Sequence, residues 1–135
     1  MLINGEKDLI KVINKAKNTG WYKIKEGEKL KIKRLIKLYK IIKVYAPLKN
    51  RIIDLGEWYF PRFYLEVTDT TGKYAYPDNH RLSLSYDVRT GTIMDETIDG
   101  CKSDNFHGCV RKGFYKVLKV IKEQLSTEFS IPIKT

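Results

Sequence analysis

Apolar residues recur at helical spacing at both ends of this chain and at every second position in its middle, which commits it to a mixed architecture. Near the C-terminus Phe114, Val117, Leu118, Ile121 and Leu125 form one stripe, with Lys112, Lys116, Lys119 and Glu123 on the opposite face. That pattern predicts an amphipathic helix over 110–125, ended by Ser126 and Pro132. Near the N-terminus Leu9, Ile10, Ile13 and Ala16 predict a second helix over 6–18. Asn4 is placed to cap it, Glu6 suits the positive end of its dipole, and Gly20 stands where a left-handed stop is expected.

Between them the period changes to two. Leu82, Leu84 and Tyr86 alternate with Arg81, Ser83, Ser85 and Asp87, the signature of a half-buried strand. Phe63 to Val67 is aromatic and β-branched, Thr70-Thr71-Gly72-Lys73 reads as a turn, and Arg89-Thr90-Gly91 turns the chain toward Thr92-Ile93-Met94. Gly56 and Pro61 bound an aromatic stretch, and Ala46-Pro47-Leu48-Lys49-Asn50 reads as a loop. The expectation is one α+β domain over residues 1–135. It would hold an antiparallel sheet of roughly five or six strands between residues 21 and 95, with curling toward a small barrel left open. The two helices would pack on one face or end of that sheet.

Length and composition agree with this. A chain of 135 residues, 42% apolar and 31% charged, can bury a core without staples. No apolar run reaches the ~18–20 residues that span a bilayer, and the opening residues lack the basic and apolar regions of a secretory signal. A cytoplasmic protein with reduced Cys101 and Cys109 is expected. The heavy use of Lys, Ile and Asn suits an AT-rich genome, such as that of a low-GC bacterium or its phage.

Charge is concentrated in one segment. Residues 23–49 hold ten basic groups and two acidic ones, Glu26 and Glu28, and so carry eight of the chain's ten net positive charges. Its period is broken. Lys29-Leu30-Lys31-Ile32-Lys33 alternates as a strand, whereas Arg34, Lys37, Lys40 and Lys43 recur at every third position. Residue type, with Ile36, Ile41, Ile42, Val44 and two tyrosines, favours two strands joined near Arg34-Leu35. A helix over 34–45, with Leu35, Leu38, Tyr39, Ile42 and Tyr45 on one face, is the alternative.

A field of this sign calls for a polyanionic partner. The plainer account of a lysine run is a solvated face that protects an edge strand. The share of the net charge held here favours binding, with Lys29, Lys31, Lys33, Arg34, Lys37, Lys40 and Lys43 contacting phosphates and Lys112, Lys116 and Lys119 adding to them. A membrane surface is a lesser alternative that requires the helical reading. Tyr64, Tyr74 and Tyr76 are the rings expected to stack on bases, while Trp58, Phe60 and Phe63 are expected in the core. Strand alternation would put Phe60 on the face of Arg62 and Tyr64, and Tyr59 on that of Phe63.

Other chemistry is less specified. Cys101, His107 and Cys109 with His80 make up a zinc-ligand set, but Cys-x5-His-x-Cys matches no common zinc module. Cys109 just before a helix, with His80 or His107 as base and Asp78 or Asp104 as orienter, would suit a Cys/His hydrolase. A buried small thiol is the plainer account. A metal-dependent nuclease could draw on Asp54, Glu57, Glu66, Asp69, Asp95 and Glu96, and a metal-free ribonuclease on His80 and Arg81. A polar turn after Pro77 explains Asp78-Asn79-His80-Arg81 more simply. There is no Gly-rich phosphate loop, nucleophile elbow or RNA-recognition-motif signature. The expected function is therefore non-enzymatic binding of DNA or RNA without a cofactor, as an accessory or regulatory protein of a phage or mobile element. The alternatives are an interaction protein whose basic face docks an acidic protein groove, and a small hydrolase or ribonuclease.

Overall fold

The structure, a computed structural model, describes residues 1–45, 51–69, 81–99 and 114–125. The described elements run α1 (Glu6–Ala16), α2 (Ile32–Tyr45), β1 (Arg51–Tyr59), β2 (Arg62–Asp69), β3 (Arg81–Asp87), β4 (Thr92–Asp99) and a third helix, α3, over 114–125. The fold is α+β. Its four strands form an antiparallel meander in the order β1-β2-β3-β4. Among the described residues the sheet is open and does not close into the barrel that the sequence left as a possibility. The expected strands between residues 21 and 50 are also missing among the described residues, so the sheet begins at Arg51. Only a single bridge, Leu2 to Asp54, extends it along the outer edge of β1.

Alternation in the strands decides which face is covered. Ile53 and Leu55 of β1, Phe63, Leu65 and Val67 of β2, Leu82, Leu84 and Tyr86 of β3, and Ile93 of β4 are buried in one core. That core also holds Leu9, Val12, Ile13 and Ala16 of α1, Leu35, Leu38, Tyr39, Ile41 and Ile42 of α2, and the full stripe Phe114, Val117, Leu118, Ile121 and Leu125 of α3. All three helices thus share one face of the sheet. The opposite face carries Asp54, Gly56, Tyr64, Glu66, Thr68, Arg81, Ser83 and Ser85, all only partly buried.

Several local readings change. The α1 N-cap is Gly5, with no side-chain cap, and Asn4 instead donates its backbone N–H to Asp8 Oδ2 at 2.8 Å. Ile10 points outward and Val12 takes its expected place in the core. Gly20 is not left-handed. Its requirement is closeness, since a Cβ there would lie 2.1 Å from the carbonyl oxygen of Phe60. Phe60 sits in the β1–β2 turn rather than in a strand, so alternation does not govern it. It packs edge-on against Phe63 with ring centroids 6.3 Å apart. Trp58, expected in the core, is 64% exposed, because Ile53 and Leu55 point inward and alternation therefore places Trp58 with Asp54 and Gly56 on the uncovered face.

The turn after β3 forms as expected, with Gly91 at φ 76°. Buried Asp87 holds it, accepting from the backbone N–H groups of Arg89 (2.8 Å) and Thr90 (3.3 Å) and from the Arg89 guanidinium (3.3 Å). Arg89 in turn lies over the Tyr22 ring at 4.9 Å, and Tyr22 donates its hydroxyl to Glu28. The Glu28 carboxylate raises the Tyr22 pKa, and the Tyr22 hydroxyl lowers that of Glu28. This chain of contacts ties the segment leading into α2 against the β3–β4 turn.

Candidate nucleic-acid interface

The basic segment resolves into an extended lead and a helix. Lys29 and Lys31 are exposed and alternate with half-buried Leu30, as in a strand, but the segment joins no sheet ladder. Its backbone is fixed differently: Lys31 donates its N–H to the Val88 carbonyl at 2.6 Å and accepts the Tyr86 hydroxyl at 2.6 Å. From Ile32 the chain is helical, which overturns the preferred two-strand reading. Leu35, Leu38, Tyr39 and Ile42 recur at three- and four-residue steps and all enter the core. Burial of that stripe outweighs the weak preference of Ile and Val for strands.

The three-residue spacing of the cations then gains a geometric meaning. Each step of three turns back about 60° on a helix of 3.6 residues per turn, so Arg34, Lys37, Lys40 and Lys43 sweep around about half of α2. Their roles therefore differ. Arg34, at one border, donates to the Thr90 carbonyl at 3.4 Å and lies so close to Gly91 that a Cβ there would meet its Nη1 at 2.6 Å. Lys43, at the other border, has its ammonium 6.0 Å from the Tyr39 ring centre. It shares a pocket of about 340 Å³ with Arg51, Asn4 and Tyr39, and its carbonyl accepts from the Arg51 guanidinium.

Lys33, Lys37 and Lys40, at i, i+4 and i+7, form the stripe opposite the core. Lys33 and Lys40 are exposed and Lys37 is half-buried. Lys40 pairs with Glu6 of α1 at 2.8 Å, both side chains being largely in water. Such a pair is worth about 0–1 kcal/mol, so a phosphate can displace it readily. The sequence of α2 holds no acidic residue, and its first turn places Lys33 and Arg34 at the positive end of the helix dipole. These cations add to the dipole's field, the arrangement that attracts an anion.

The remaining expected site residues separate from this face. Tyr64 lies on the opposite side of the sheet, between Gly56 and Ser85 in the ladder, and so shares no groove with the α2 lysines. Lys116 and Lys119 are exposed on α3. Tyr74, Tyr76, His80, Cys101, His107, Cys109 and Lys112 lie outside the described residues, as do the Ala46–Asn50 loop and the Thr70–Lys73 turn. Among the described residues no group of three or more His, Cys, Asp or Glu is placed to hold a metal ion. No described helix is long and apolar enough to cross a membrane. Neither a protein-family model, nor a curated protein, nor a solved structure matches the chain.

Two features escaped the sequence reading. One is the Tyr22–Glu28–Arg89–Asp87 chain, whose central contact joins Arg89 to Tyr22, too far apart in sequence for any local pattern to reveal. The other is the exposed position of Trp58. The sequence signal for it is the alternation of Ile53 and Leu55 with Asp54 and Gly56, which carries Trp58 to the outward face.

Proposed function

We propose that this protein binds the phosphate backbone of a nucleic acid through the outward face of α2 and the extended segment before it. The observation carrying this reading is the stripe of Lys33, Lys37 and Lys40 on an acid-free helix, continued by exposed Lys29 and Lys31 toward the helix's positive end. From Lys33 to Lys40 is about 10 Å along the axis, within reach of successive phosphates on one strand. Lysine ammonium groups supply charge without the planar fork that reads base edges, so the binding is driven by counterion release and is weakly selective for sequence. Tyr64 takes no part in it, since the sheet separates that ring from α2.

Fluorescence anisotropy with labelled single- and double-stranded DNA and RNA, over a salt series, tests the reading. The expected outcome is micromolar or tighter binding at ~50 mM salt, with log affinity falling linearly against log salt concentration. No binding to any of the four at that salt overturns it, and leaves the basic face as a docking surface for an acidic protein.

A further inference from the structure

The solvent-facing side of the sheet carries a second surface, of different character. Trp58 is 64% exposed and Tyr59 is 50% exposed, large rings that a chain of this size ordinarily buries. The Trp58 and Tyr64 rings stand at 61° with centroids 6.4 Å apart, and form two walls of an open groove of about 560 Å³. Gly56 makes the arrangement possible. It pairs with Tyr64 across the ladder, and a Cβ there would fall 2.0 Å from the Tyr64 Cζ, so the ring lies across the bare glycine.

The groove is lined by Glu57, Trp58, Tyr59, Tyr64, Glu66 and Ser83, with the Arg81 guanidinium beside Glu66. Glu57 accepts the Thr19 hydroxyl at 2.8 Å, and Arg81 approaches Glu66 with Nε 3.6 Å from Oε2. Arg81 thus offsets the charge of Glu66, while Glu57 is held by a neutral hydroxyl and keeps its own, beside electron-rich ring faces. Ring faces attract cations, Trp most strongly, and the Glu57 carboxylate adds to that attraction while repelling phosphate.

We propose that this groove receives an arginine side chain presented by a partner polypeptide. The groove is open on one side, so a detached cation would stay half hydrated, whereas a polypeptide brings its own aliphatic stem and backbone to cover Trp58. Arginine is favoured over lysine because its planar guanidinium stacks on an indole, is weakly hydrated, and meets a carboxylate through two N–H donors. The surface is separate from the α2 face, and the proposal does not rest on nucleic-acid binding.

The chain has two tryptophans, so Trp21→Phe leaves Trp58 as the reporting fluorophore. The full chain carrying that change is titrated with a short capped peptide containing two arginines. Its lysine and glutamine counterparts, tetramethylammonium and a single-stranded oligonucleotide are run in parallel. The expected result is saturable change in Trp58 emission with the arginine peptide, several-fold weaker with the lysine one and absent with glutamine. With the peptide labelled instead, Trp58→Ala weakens binding at least tenfold, and Glu57→Gln with Glu66→Gln weakens it several-fold; circular dichroism verifies that each variant is folded. Gly56→Ala, which pushes Tyr64 aside, lowers affinity in the same assay. Equal affinity for tetramethylammonium, binding indifferent to Trp58→Ala, or no peptide binding at millimolar concentration overturns the proposal. Oligonucleotide saturation of the Trp58 signal without a peptide response overturns it in favour of base stacking.

Discussion

Tyr86 links the buried face of the sheet to the basic segment through one hydroxyl. Its ring is fully within the core, and its O–H donates to the Lys31 carbonyl at 2.6 Å, fixing where the extended lead crosses the β3–β4 turn. Burial, the main cause, raises its pKa well above the ordinary tyrosine value. The sign follows directly. In the unfolded chain Tyr86 loses its proton first, so its contribution to stability is intact below a pH of about 10 and falls above it, by about 1.4 kcal/mol per pH unit. Tyr86→Phe should cost about 1–3 kcal/mol near neutrality, from the carbonyl left without its donor. Urea unfolding of both proteins between about pH 7 and 11 should show that gap narrowing above about pH 10. A gap constant across the range would mean the hydroxyl is not protected. Nothing in the sequence around Tyr86 announces this bond; alternation assigns the ring to the core, and the partner carbonyl is 55 residues away.

At the scale of elements, α1 was placed correctly as a helix, with Ile10 assigned to the core in place of Val12. Helix α3 was legible because its apolar stripe is clean, and β3 because its alternation is strict. The α2 segment was not. Its Ile and Val content favours strands locally, and its basic residues at every third position match neither period. The stripe at 35, 38, 39 and 42 was present throughout and is what tertiary packing selects. Alanine substitution separates the two readings. Leu38→Ala should destabilise by about 2–5 kcal/mol, since it empties a fully buried site. Val44→Ala, at a position 71% exposed, should change stability by less than about 0.5 kcal/mol. Comparable costs at both positions, measured by denaturant unfolding, would contradict the helix. The aromatic block misled for a related reason: a turn at Phe60–Pro61 and a bulge at Glu57–Tyr59 break the alternation on which its face assignments depended.

Over the whole molecule the sheet divides charge as well as polarity. Helices and their outward lysines cover one side, while the other exposes rings and carboxylates in the groove at Trp58 and Tyr64. The sequence predicted that the positive charge is concentrated but not that an aromatic groove lies across the sheet from it, because that face is assembled from three strands. The central claim is that the α2 stripe contacts phosphate. It is tested by measuring duplex affinity across a salt series for the natural chain and for one carrying Lys33→Gln, Lys37→Gln and Lys40→Gln together. Each lost phosphate contact reduces the log–log slope by about 0.9, so three contacts predict a slope shallower by about 2–3 with thermal stability unchanged. An unchanged slope would contradict the claim, and would leave those lysines as a solvated face only.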